Sequence, residues 1–307
     1  MRTSQRGIAL ILVLWVITLL TVMALGLTAS QRTGSALTRN SLDTVRFRVL
    51  SEAALNFAAL NLLVPPPSLD LDPEADIWLP DGAPHTWVFN GESLKIAVSN
   101  EGSKIDLNQA DGDLLTRLFL VLGVEDNDAI VLADTILDWR DEDDMHQLNG
   151  AEDGDYEQAG LPYGAKDDKF ASIEELQQVL GVDRSLYQLL APLVTVYSKD
   201  SNVDTAFAPA AVLAALEDTT LEDAELAIEE RALEQQAPAI SRGGPRYRVR
   251  VIKETDSGSG SGSGMEALIE TTPGLQPPFQ VLWRRFGLIL EATDAQEAAG
   301  AENADQQ

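Results

Sequence analysis

No cysteine occurs in the 307 residues, which excludes disulfides, thiol nucleophiles and thiolate metal sites together. Histidine is almost as scarce, and only His85 and His146 are available as general bases. The chain has no G-x-S-x-G sequence and no glycine-rich phosphate loop, so nothing marks a nucleophile elbow or a nucleotide cradle. No pair of carboxylates is singled out as a hydrolase would need one. Positive charge is also short: 22 basic residues stand against 49 acidic ones, a net charge of −27. Nucleic-acid binding rests mainly on neutralising phosphates with lysine and arginine. A body this acidic repels nucleic acid and anionic lipid headgroups alike. Aromatic residues make up only 6%, but 45% of the chain is hydrophobic, enough for a packed core.

Charge is missing altogether from one stretch. Ile8 to Leu27 reads IALILVLWVITLLTVMALGL, with no charge and no proline. A bilayer core about 30 Å thick needs roughly 20 helical residues to cross it. The leader before it, MRTSQRG, carries Arg2 and Arg6, and positive charge on a short flank predicts that this flank stays cytoplasmic while the remainder is exported. Three readings fit: a cleaved secretory signal with Ala24-Leu25-Gly26 as its site, a plain signal anchor, or a cut after Gly7 that removes the charges and keeps the apolar helix.

The third arrangement resembles the class III signal of type IV pilins and type II secretion pseudopilins. The resemblance implies that a prepilin peptidase cuts between Gly7 and Ile8 and that Ile8 is then N-methylated. The mature chain would carry 20 basic residues and a net charge of −29. Most members of that family have glutamate at the fifth mature position, where this chain has Leu12. The glutamate neutralises a neighbouring subunit's buried amine, since an isolated charge in apolar surroundings is costly; a subunit with nothing above it needs none. Lacking it resembles the minor pseudopilin K family, the tip subunit of the type II secretion pseudopilus.

Beyond the apolar run, Leu42, Val45, Val49, Ala53, Phe57 and Leu60 recur on one predicted helical face, and Pro65-Pro66-Pro67 stops the helix. A continuous helix from Ile8 to Leu63 would span about 84 Å; a break near Gly34 would give two helices instead. Leu69 to Pro84 reads as a loop. Thr86–Phe89 and Ser93–Ser99 read as a hairpin about Asn90-Gly91. Strand patterns then vanish for about 145 residues and return at Arg246–Lys253, Met265–Thr271 and Phe279–Arg285. Between the first two of these, SGSGSGSG after Asp256 reads as a solvated linker at a hairpin tip. The tail after Glu291 has a disordered composition.

The predicted fold is therefore α+β: a pilin-like long N-terminal transmembrane helix packed on an antiparallel sheet, with a large all-helical domain inserted between strands. The expected divisions are a leader at 1–7, the pilin helix at 8–63, the first part of an α/β head at 64–102, the inserted helical domain at 103–240, completing strands at 241–291 and an acidic tail at 292–307. The K family has this plan.

Within the insertion a phrase recurs. Leu114–Leu122 reads as a helix closed by Gly123-Val124, and Ser172–Leu180 as a helix closed by Gly181-Val182, with Ser172 and Glu175 forming a capping box. NVDTAFAPAAVLAAL from Asn202 is a weaker copy whose second helix would be Leu221–Gln235. The phrase resembles the helix-hairpin-helix modules of DNA-binding proteins. Those hairpins present a second glycine to a phosphate, where this chain has Glu125 and Asp183 instead. A scaffold of that topology without a phosphate site is expected.

Asp138 to Glu157 is the densest chemical feature, with nine acids and one arginine in twenty residues. Carboxylates crowded in this way repel one another unless a cation sits among them. Calcium, which takes six to eight oxygens, suits them better than magnesium. The spacing is not that of an EF-hand, and a solvated acidic loop is the alternative. The K-family resemblance covers D-W-x-D-x-D-D at Asp138, Trp139, Asp141, Asp143 and Asp144, followed by Gly150, Ala151, Glu152, Asp153 and Tyr156. It implies calcium, with Asp141, Asp143, Asp144, Glu152 and Asp153 as ligands and Asp138 and Asp155 as reserves. His146 is expected to be exposed and Trp139 to pack in the core.

The function implied is a non-enzymatic tip subunit, held in the inner membrane with its body in the periplasm. It would pack against minor pseudopilins I and J and prime growth of the major pseudopilin fibre, which drives folded proteins through the secretin. A minor pilin of a type IV pilus is the alternative within the same class, and an anchored helix-hairpin-helix nucleic-acid binder is the alternative outside it.

Overall fold

The computed structural model describes residues 6–64, 78–234, 243–253 and 261–290. The chain divides into two compact units, one ending at Glu52 and the other beginning at Ala53. Helix α1, Arg6–Leu63, runs without a break through Gly34. In the first unit its Leu10–Thr28 segment is apolar, long enough to cross a membrane and wholly exposed. Leu12 is among the exposed residues, as are Leu42, Val45 and Val49 farther along. Gly7 and Ile8 lie in the first turn.

In the second unit the helical face differs from the one predicted. Ala54, Leu55, Ala58 and Ala59 are buried, whereas Leu60 is exposed. The predicted periodicity passed over Ala54, Ala58 and Ala59, small residues that allow close packing and are buried here together with Leu55. Phe57 stacks on Trp87 at 5.4 Å and meets Trp78 edge-on at 5.2 Å.

The sheet is fully antiparallel, in the order β1 (Asp81–Phe89), β2 (Glu92–Asn100), β5 (Arg246–Lys253), β6 (Ser261–Thr271) and β7 (Phe279–Leu290). β1 starts inside the stretch predicted to be loop. Alternation sets the two faces. Ile96, Val251 and Met265 share one register row, and Val98, Val249 and Ala267 the next, all of them buried. The opposite face carries Arg248, Arg250, Glu266 and Arg285. Part of the SG repeat is strand, since β6 begins at Ser261; residues 254–260, the prolines at 65–67, Gln235 and the tail after 290 lie outside the described residues.

Between β2 and β5 stand β3 (Ile105–Asp106), α2 (Gly112–Val121), α3 (Asp126–Arg140), α4 (Asp153–Gln158), α5 (Arg184–Leu190), β4 (Val194–Thr195), α6 (Ala210–Glu217) and α7 (Leu221–Glu234). This block is not strand-free, as had been expected. β3 and β4 pair in parallel, too short to leave a pattern in sequence. The block has its own core, built on Leu115, Leu118, Phe119, Ile136, Tyr156 and Leu190. Ile173–Gln178 is a 3-10 turn to which Ser172 gives no capping bond. The expected capping box fails because Glu175 is engaged elsewhere, accepting the Ala171 amide at 3.0 Å and pairing with Lys166 at 2.8 Å.

Candidate functional site

The acidic stretch begins inside α3. Asp138 is fully buried in the last turn of the helix, beside Trp139, which packs near Tyr156 and Phe170 at ring distances of 5.8 and 6.3 Å. Arg140 ends the helix, its guanidinium donating to the carbonyls of Leu107 and Ala110. α3 also pins the loop that follows it. Asp138 Oδ1 accepts the Gln147 amide at 2.9 Å, and Asp134 Oδ2 accepts the backbone and side-chain amides of Asn149 at 3.0 Å each. Glu152, buried just before α4, donates its own amide to Asp155 Oδ2 at 3.1 Å.

Among the described residues, four buried carboxylate oxygens are left without a hydrogen-bond partner: Asp138 Oδ2, Asp141 Oδ1, Glu152 Oε1 and Asp167 Oδ1. Buried polar atoms are ordinarily paired. Burial pushes the Glu152 carboxyl up to about 7, and the charges of Asp138, Asp141 and Asp167 add to the rise. Burial also raises Asp138, with Asp141 acting in the same direction. Asp141 rises through burial and its neighbour Asp143. Asp167 rises through burial and then through Asp153 and Asp144. The chain leaves room for these groups. A Cβ on Gly150 would stand 1.8 Å from Asp138 Oδ2, and one on Gly164 would stand 1.6 Å from Asp153 Oδ1. Among the described residues no three histidine, aspartate or glutamate side chains are gathered closely enough to hold an ion as they stand. The orphaned oxygens and the mutual repulsion nonetheless fit a hard cation, once the side chains turn toward it.

Of the predicted ligands, Asp141 and Glu152 lie near enough to the reserve Asp138 for their charges to act on one another. Asp144 and Asp153 face the field of Asp167. Asp143 Oδ1 accepts the Met145 amide at 3.0 Å, and Asp155 caps α4 with its Oδ2 3.6 Å from Nδ1 of the half-exposed His146. Sequence reasoning missed Asp167. It stands in Lys166-Asp-Asp-Lys169, where charge is balanced; its φ of +54° is visible only in the structure.

A second constellation, also missed, lies between the helical block and the sheet. Glu101 is completely buried. It accepts from Lys104 Nζ at 2.7 Å, from Arg248 Nε at 2.8 Å and Nη2 at 3.1 Å, and from the Thr195 hydroxyl of β4. Burial alone would raise its pKa, but Lys104 and then Arg248 outweigh that and hold the carboxyl well below its usual range. Lys104 is lowered in turn, because burial outweighs a carboxylate that it shares with Arg248. Arg248 also faces Glu266 at 3.5 Å, and Arg285 bonds Glu266 at 2.6–2.7 Å while reaching Glu174 in the block. The Trp283 ring lies under both guanidiniums, 5.7 Å from Arg248 and 5.3 Å from Arg285.

Residues 89–199, which hold both constellations except Arg248, Glu266, Trp283 and Arg285, match the family model described as "Type II secretion system (T2SS), protein K". A type II secretion system protein K of Klebsiella pneumoniae is 30% identical over 254 residues, covering 76% of this chain and 77% of that one. Its counterpart in Pectobacterium carotovorum subsp. carotovorum is 28% identical over 257 residues, with 75% and 76% covered. In fold the chain is similar to a chain of the crystal structure of the GspK-GspI-GspJ complex from enterotoxigenic Escherichia coli. The TM-score is 0.54 at 21% identity, and 81% of this chain and 98% of that one are covered. With a relative this similar over three quarters of both lengths, the chain belongs to the type II secretion system protein K family.

Proposed function

We propose that this chain is the tip subunit of a type II secretion pseudopilus, a structural part rather than a catalyst. The carrying observation is α1, which offers a membrane-length apolar segment, Leu10–Thr28, with none of it buried. Leu12 lies within it where pilin-like subunits carry an acid, so no neighbour above could have its amine neutralised here. Exposed Leu42, Val45 and Val49 extend the apolar surface beyond the membrane span. Two other helices of the same kind would cover these residues. The solved neighbour, crystallised as a GspK-GspI-GspJ complex, supports minor pseudopilins I and J in that role. After a prepilin peptidase cuts between Gly7 and Ile8 and Ile8 is methylated, the helical block rides into the periplasm and caps the assembly. The major pseudopilin then grows beneath it toward the secretin.

The acidic loop takes calcium in this reading. Asp138, Asp141, Glu152, Asp153 and Asp167 would hold it, with Asp143, Asp144 and Asp155 around them. The ion would supply positive charge where buried carboxylates have no partner.

Three experiments test the proposal. Mass spectrometry of the protein from its native membrane should give a methylated Ile8 terminus; a terminus downstream of Leu27 would refute the tip reading. Thermal unfolding in millimolar calcium should lie well above that in excess chelator, and identical curves would refute the ion. Loss of exoprotein release with twitching intact on deletion separates this reading from a type IV pilus subunit.

A further inference from the structure

The near-repeat of the helical block has no part in the function proposed above. Gly123 follows α2 with φ +85°, and Gly181 follows the 3-10 turn with φ +87°. Both turns line one cleft of about 470 Å³. Its apolar lining includes Leu122, Val124, Val131, Leu186 and Leu189, of which Val131 is 42% and Leu189 37% exposed. The charged lining is Asp128 and Asp183, and no lysine or arginine lines it. Asp183 caps α5, accepting the Leu186 amide at 2.7 Å. Asp128 is exposed in the first turn of α3. The depth of the cleft depends on Gly181, where a Cβ would press to 3.1 Å on Leu132.

We propose that this cleft docks a short basic and apolar segment of a partner protein. A phosphate ligand is disfavoured, because both turns carry acids and the lining has no cation. A purely apolar ligand would leave two carboxylates beside a dry surface at a desolvation cost. A segment that places leucine- or isoleucine-like side chains between Val131 and Leu189, with lysine or arginine over Asp128 and Asp183, satisfies both features. The volume lies in the range of ordinary ligand clefts, roughly 300–1,000 Å³, and suits two or three side chains. This inference depends on neither the calcium site nor the tip assignment.

The test uses the full chain in its native host. A photo-activated benzoylphenylalanine replaces Leu189, or Glu225 as an exposed control, and cross-linked peptides are mapped by mass spectrometry after purification. The Leu189 position should cross-link to a protein segment of net positive charge with interspersed apolar residues, and the Glu225 position should not. Asp128→Lys should lower the yield about fivefold or more, and the milder Asp128→Asn about twofold. The melting temperature should stay within about 2 °C of the parent for both variants. Absence of a cross-link at Leu189, a neutral or acidic cross-linked segment, a lipid or nucleic-acid adduct, or a yield indifferent to Asp128→Asn would each overturn the proposal.

Discussion

At single residues the acidic loop is a question of unmatched oxygens. Glu152 has a buried oxygen with no donor and three carboxylates pressing on it. Glu152→Gln should therefore act with opposite signs in two buffers. In chelator it relieves repulsion and the melting temperature should rise. In calcium it would remove a ligand of the proposed ion, and the calcium-induced shift should shrink by more than half. Gly150→Ala places a methyl group 1.8 Å from the Asp138 carboxylate; unfolding in urea should show a loss of about 1–3 kcal/mol, as overpacking gives. Glu101 contributes to the acid limb. Its folded pKa lies below the ordinary value of 4.5, so its stabilisation is complete above that value and is lost as pH falls below it. The stability gap between the parent and Glu101→Gln, measured by urea unfolding, should be widest near pH 6 and narrow toward pH 3. Neither Glu101 nor Asp167 could be found by reading. Glu101 is a lone acid whose partner Arg248 lies 147 positions away, and Asp167 sits in a charge-balanced Lys-Asp-Asp-Lys run while the acids that act on it, Asp153 and Asp144, lie 14 and 23 positions back. The dense run from Asp138 was legible because crowding is itself visible in sequence.

Elements were legible in proportion to their length. α1, the Asn90-Gly91 hairpin and the three C-terminal strands carry long, regular patterns, and all appear in the fold. The paired β3 and β4 are two residues each and leave no pattern. The packed face of α1 was misassigned because alanines carry little hydrophobic signal yet permit close approach. That difference can be measured. Ala58→Leu, at a fully buried position, should cost about 1–3 kcal/mol by overpacking. Leu60→Ser, at an exposed one, should leave urea unfolding of the purified protein within about 0.5 kcal/mol.

Taken whole, the second unit joins a sheet to a helical block through buried charges. Arg248 binds Glu101 and faces Glu266, and removing one partner of such a pair costs about 3–5 kcal/mol because the other charge stays buried. Arg248→Met should therefore lower stability by that amount. It should also separate the tryptophan fluorescence and far-ultraviolet dichroism transitions, which coincide while sheet and block unfold together. The exposed Arg285 contributes far less.

The short parallel seam has one more consequence. Ile105 donates to the Leu193 carbonyl at 3.0 Å and Leu107 to that of Thr195 at 2.8 Å, so residues 107–193 depart and return at adjoining peptide groups. The ends of the detour are thereby held side by side, while the register of β2 against β5 is settled by bonds outside it.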